Sequence, residues 1–154
     1  MIDTIRCYAD IALFILIWLV QLIIYPSFVH VRESVFIKWH NKYTGLISLF
    51  VAPLMFGQSG IYLYASFSFG RWHDIFGSVC IAGLWLSTFL LSVPCHDRLH
   101  RSGYDLPTIK RLVRTNWFRT FLWTLMLAIT LLTISPLAVL EETTEPVLNT
   151  LEKQ

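Results

Sequence analysis

Five histidines, one arginine and one asparagine mark where this chain could do chemistry. His30, His40, His96 and His100 fall at one end of its long apolar stretches, and His73 at the other. Imidazole at the border of hydrocarbon and water can ligate a metal or haem, relay protons, or anchor a helix end. His40 stands just before the second apolar stretch and His96 just after the third, so both reach one depth of a helical membrane protein. Asn116 and Arg119 flank the start of the fourth stretch at that same depth. His40, His96, Asn116 and Arg119 are therefore the candidate ligand-binding cluster, with His40 and His96 as candidate ligands of a metal ion or haem b, since helix bundles often house haem between facing helices. Ligating histidines of membrane cytochromes usually lie deeper within their helices. His100, one turn beyond His96 toward the aqueous loop, is expected to stay outside the pair.

Three other chemistries fare less well. His96-Asp97-Arg98-Leu99-His100 has the i, i+4 histidine spacing of a zinc-peptidase helix. Asp stands where that motif uses the longer Glu, and Pro94 and Gly103 leave only one or two helical turns. Cys7, Cys80 and Cys95 lie at different depths with no CxxC, which argues against a membrane thiol oxidoreductase and predicts three free thiols. A small transporter wants a carboxylate buried in a helix, and Asp10, about one turn inside the first stretch, is the candidate.

Four apolar stretches must position these residues: Tyr8 to Val29, Leu46 to Ala65, Ile75 to Val93 and Trp117 to Leu140. Each has about the 20 residues that cross roughly 30 Å of hydrocarbon. The chain of 154 residues is 55% hydrophobic and only 14% charged, where soluble domains carry about 25% charged residues. The expected class is an all-α polytopic membrane protein, a four-transmembrane-helix bundle forming a single domain over residues 1–154 with a short acidic tail over 141–154. The first stretch lacks a basic n-region and a small-residue cleavage site, so it reads as a helix rather than a signal peptide.

Charge sets the orientation. Arg32, Lys38, Lys42, Arg98, Arg101, Lys110, Arg111, Arg114 and Arg119 fall on one side, and Arg6, Arg71 and Lys153 on the other. Short loops rich in Lys and Arg stay in the cytoplasm, which places loops 30–45 and 94–116 there and both termini outside. Each cytoplasmic loop is expected to carry a short interfacial helix, one along Phe28, Val31, Val35 and Trp39, the other capped by Asp105 and opened by Pro107. Lys110, Arg111 and Arg114 would then meet lipid head groups.

Helices in lipid associate through close packing and a few hydrogen bonds. Helix three carries the small-residue pairs Ser78/Ala82 and Gly83/Ser87, which are expected against neighbouring helices. The pairs Gln21/Tyr25, Gln58/Tyr62 and Thr120/Thr124 are each spaced four apart and should face inward. Pro53 interrupts helix two, and a cavity is most expected beside it.

Gln21 with Tyr25-Pro26, Trp39-His40, Pro53 with Met55, Val93-Pro94-Cys95-His96 and, above all, Arg111 through Thr120 with Trp123 resemble a family of uncharacterised small four-helix bacterial inner-membrane proteins. The resemblance covers most of the chain. It implies histidine at the positions of His40 and His96, less regularly at His100, and conveys no activity. The functional expectation is an integral membrane binding or accessory protein in contact with membrane lipids, as a homo-oligomer or part of a larger membrane complex, without nucleic acid. The alternatives are a haem- or metal-dependent redox enzyme using His40 and His96, and a small transporter.

Overall fold

The computed structural model describes residues 1–133, and among these it contains helices and no strand. Four rods succeed one another: α1 (Ile2–His30), α2 (Glu33–Phe69), α3 (Trp72–Ser102) and α4 (Leu106–Thr133). The first three are long and apolar enough to cross a membrane. The acidic segment 141–154 and the end of the fourth apolar stretch lie outside the described residues.

The links are short because glycine ends two of the rods. Gly70 takes the left-handed conformation at φ 60° and its amide donates to the Ser66 carbonyl, closing α2. Gly103 at φ 77° closes α3, and both angles favour a residue without Cβ. Asp105 then starts α4, accepting the Thr108 hydroxyl on its carboxylate and the Ile109 amide on its carbonyl. Such tight turns force antiparallel neighbours. The principal contacts run α1 to α2, α2 to α3, α3 to α4 and α4 to α1, a ring with α1 and α3 on one diagonal.

The expected interfacial helices are not separate elements. Residues 33–45 are the first turns of α2 and residues 106–116 the first turns of α4, so 30–45 and 94–116 are mostly helix rather than loop. Hydropathy marks only the apolar part of a rod, whereas backbone hydrogen bonding continues into its polar end.

Two rods carry a wide turn at one depth. In α1 the Tyr25 amide bonds the Val20 carbonyl, and in α3 the Val93 amide bonds the Thr88 carbonyl, each five residues back. Each wide turn precedes a proline by one residue, at Pro26 and Pro94. Proline lacks the amide hydrogen and its ring crowds the carbonyl four residues back, and an added residue in the turn relieves that conflict. The wide turns also rotate the remainder of each rod, and with it Tyr25 and His96.

Packing along α3 differs from the small-residue expectation. Ala82 is exposed, while the buried stripe is Gly77, Cys80, Ile81, Leu84 and Ser87. Gly77 makes the closest approach: a Cβ there would stand 2.0 Å from Cε1 of Tyr62. Ser78 still meets α2, its hydroxyl 2.9 Å from that of Ser66. All three cysteines are free.

Candidate functional site

Most of the buried and half-buried polar side chains form two groups, one toward each end of the ring. At the basic end, α1 contributes Gln21 and Tyr25, α2 His40, Tyr43 and Thr44, α3 His96 and His100, and α4 Asn116 and Arg119. His40 is fully buried, its ring between Phe28 and stacked Phe36, and its Nε2 lies 3.0 Å from Nδ1 of His96. The other face of His96 meets Tyr25, Nε2 to hydroxyl 3.2 Å. Arg119 donates from Nη2 to the Tyr25 hydroxyl at 3.3 Å and to the Asn116 side-chain oxygen Oδ1. Asn116 in turn donates to Gln21 Oε1 at 2.8 Å, and the Gln21 amide reaches the Val113 carbonyl.

The four residues singled out from sequence thus fall in one connected network, through a fifth and sixth member, Tyr25 and Gln21. His100 does not stay outside it. Its ring centre is 4.6 Å from that of His40, and its Nε2 is 3.1 Å from the Thr44 hydroxyl. The expectation erred because α2 is helical back to Glu33, which carries His40 and Thr44 far enough to face the last turn of α3. His30 is exposed and apart. Lys110, Arg111 and Arg114 are exposed on α4, whereas Arg119 is 6% exposed.

A cavity of ≈ 170 Å³ adjoins this network. Tyr25, Tyr43, His96, Arg119, Thr88 and Ser92 give it a polar end, and Leu13, Ile17, Val20, Val51, Met55 and Trp123 an apolar one. Exposed Ser48 of α2 and Val93 of α3 stand at its rim. Among the described residues no carboxylate pairs with Arg119, and its buried Nε has no partner. A buried guanidinium without a counter-charge is costly, and its hydrogen bonds to neutral Tyr25 and Asn116 leave that charge unopposed.

As arranged, the histidines do not fit a metal. His40 Nε2 and His96 Nδ1 are engaged with each other in a hydrogen bond at 3.0 Å, which occupies the two nitrogens an ion would need as ligands. Among the described residues no three His, Cys, Asp or Glu side chains are grouped to hold an ion. Asp97 is exposed, away from the inward-facing His96 and His100, so the peptidase-like spacing does not become a peptidase-like site.

Sequence reasoning offered Asp10 as a buried carboxylate and turned Gln58 and Tyr62 inward, but missed that they meet in a second polar group and that Arg6, Arg71 and Asp74 lie beyond them. Asp10, fully buried, accepts from Gln58 Nε2 at 2.7 Å, Tyr62 hydroxyl at 2.8 Å and Thr130 hydroxyl at 2.7 Å. Beyond it Arg6, 2% exposed, pairs with fully buried Asp74, which also binds Arg71; Arg71 spans to Asp3 with a forked contact at 2.8 and 3.0 Å. Its hydrogen bonds to Asp3 and Asp74 hold the Arg71 guanidinium above its ordinary range, so it stays charged at every accessible pH. The available signal was the pair Asp3/Arg6 one turn apart in α1, with Arg71 and Asp74 opening α3.

No protein-family model, curated protein or solved structure matches the chain.

Proposed function

We propose that the chain is an integral membrane protein, with four helices crossing a bacterial inner membrane, that binds a small amphipathic molecule in the cavity between them. Large apolar side chains such as Leu49, Phe50, Phe89, Leu90, Phe118 and Phe121 are exposed around the rods, a pattern that suits lipid and not water. The basic end faces the cytoplasm by the distribution of Lys and Arg. At 37 residues α2 is about 55 Å long, well beyond about 30 Å of hydrocarbon, so its first turns project past the bilayer on that side.

The observation that carries the binding reading is the cavity itself, polar at one end and apolar at the other, with an uncompensated Arg119 at the polar end. Pockets for small molecules are largely apolar with a few placed polar groups. A cavity of ≈ 170 Å³ is near the roughly 150 Å³ that admits one benzene ring. The occupant is therefore a ring-sized head at Tyr25, Tyr43, His96 and Arg119, its apolar remainder passing the rim at Ser48 and Val93 toward lipid. Extraction of the purified protein into organic solvent, followed by mass spectrometry, tests this. One compound should be enriched over the surrounding lipid in wild type and lost in Val51→Trp, which fills the cavity; equal recovery from both would refute it.

A further inference from the structure

The hydrogen bonds around the cavity have a direction. Arg119 can only donate, so the Tyr25 oxygen accepts from it and the Tyr25 O–H points at His96 Nε2. His96 Nε2 is then the bare nitrogen of that ring, and its Nδ1–H donates to His40 Nε2. His40 is left with its hydrogen on Nδ1, a buried atom with no partner. On the far side, the Thr44 hydroxyl donates to the His40 carbonyl at 2.9 Å, so it accepts from His100 Nε2–H. That leaves the lone pair of His100 on Nδ1. An unpartnered donor on His40 and an unfilled acceptor on His100 thus belong to rings 4.6 Å apart, and His100 is half-buried at the rim of the basic end.

We propose that the cavity takes up a weak acid in its neutral form and holds it as the anion on Arg119, while the acid's proton leaves by way of Tyr25, His96, His40 and His100. This rests on the binding reading above and names its ligand class, a ring-sized acid such as a phenol or an aromatic carboxylic acid. The neutral acid is the form that crosses lipid, and the anion is the form that an unpaired buried guanidinium stabilises. The acid O–H bond breaks with its electron pair kept on the ligand oxygen, and the proton passes to the Tyr25 oxygen. The hydroxyl hydrogen of Tyr25 moves to His96 Nε2 and that of His96 Nδ1 to His40 Nε2, both along hydrogen bonds, and that of His40 Nδ1 crosses to His100 by way of one bridging water, since no direct bond joins the two rings. One proton enters and one leaves. Among the described residues the other polar groups near the row are Tyr43 and Thr44 of α2 and Asn116 and Arg119 of α4, and none of them is a carboxylate.

The test uses the full chain in nanodiscs of uncharged phosphatidylcholine and two ring-sized probes, 4-nitrophenol and nitrobenzene. At a pH where free 4-nitrophenol is mostly protonated, binding should raise its yellow phenolate band. Arg119→Gln should abolish that band. His40→Phe, which keeps an aromatic ring between Phe28 and Phe36, should leave the final band in place and slow its appearance in stopped flow by about a hundredfold. His100→Gln at the half-buried rim checks the same step should His40→Phe fold poorly. Nitrobenzene binding as tightly as 4-nitrophenol with no phenolate band would overturn the weak-acid proposal and leave the cavity reading standing. A band whose rate ignores both histidine variants would overturn the proton route. If neither probe binds, the cavity reading itself fails.

Discussion

Nε2 of His40 lies 3.0 Å from Nδ1 of His96, joining the start of α2 to the end of α3 across 56 residues of chain. His40 is fully buried, so its Nε2 depends on His96 for a partner. Removing one ring strands the nitrogen of the other, at about 1–3 kcal/mol. His40→Ala and His96→Ala should each lower the thermal unfolding midpoint in detergent, and the double variant should lose less than their sum. Strict additivity would mean the two rings do not depend on each other.

Helix α3 leans on α2 at Gly77, where a Cβ would meet the Tyr62 ring at 2.0 Å. Gly77→Ala should destabilise by about 1–3 kcal/mol through overpacking. Ala82→Leu, on an exposed face, should change little. Denaturation curves showing the reverse order would place the contact face of α3 elsewhere.

Asp10 satisfies three donors at once, from Gln58, Tyr62 and Thr130. Asp10→Leu fits the space and removes the acceptor of all three donors, leaving only the 3.1 Å contact between the Tyr62 and Thr130 hydroxyls to answer one of them, so it should cost more than Asp10→Asn, which keeps one acceptor oxygen. Equal unfolding midpoints for the two variants would show that water answers these donors in place of the carboxylate.

At the same end, Asp74→Asn removes the fully buried charge that Arg6 faces and leaves it only the more exposed Asp3, at 3.1 Å. Breaking a buried pair from one side costs about 3–5 kcal/mol. Asp3→Asn, whose side chain is 38% exposed, should cost a small fraction of that in the same melt.

The sequence made the rods and the depth of His40, His96, Asn116 and Arg119 legible, because apolar runs and boundary positions depend on local pattern alone. Inward-facing Gln58/Tyr62 and Gln21/Tyr25 are legible too, from the cost of polar groups in lipid. The partners of these pairs are not: that Tyr62 meets Asp10 and Thr130 depends on which face each neighbouring rod presents. Gly77 and Ala82 are both small, and only the buried stripe through Cys80, Ile81, Leu84 and Ser87 tells them apart. The wide turns before Pro26 and Pro94 leave their trace as prolines, yet proline equally kinks or ends a helix. Lys38, Asn41 and Lys42 interrupt the hydropathy of α2 ahead of Leu46, so its first turns read as loop and the approach of His100 stays hidden.

Orientation has its own check. Single cysteines in a background without native cysteines, Ser68→Cys near the α2–α3 turn and Ser102→Cys at the end of α3, occupy exposed positions at opposite ends. An impermeant thiol reagent added to whole cells should label the first and spare the second. The opposite pattern would turn the polar cluster to the outer face.

Photolabelling reads the occupant of the cavity most directly. A phenyl diazirine bearing a phenolic hydroxyl, irradiated with the full-length protein in nanodiscs, should attach to Leu16, Val20, Val51 or Met55 around the cavity. That labelling should fall away with excess 4-nitrophenol or with Val51→Trp. Label spread over the exposed residues Leu49, Phe50 and Phe118, with no competition by 4-nitrophenol, would contradict a binding cavity between the four helices.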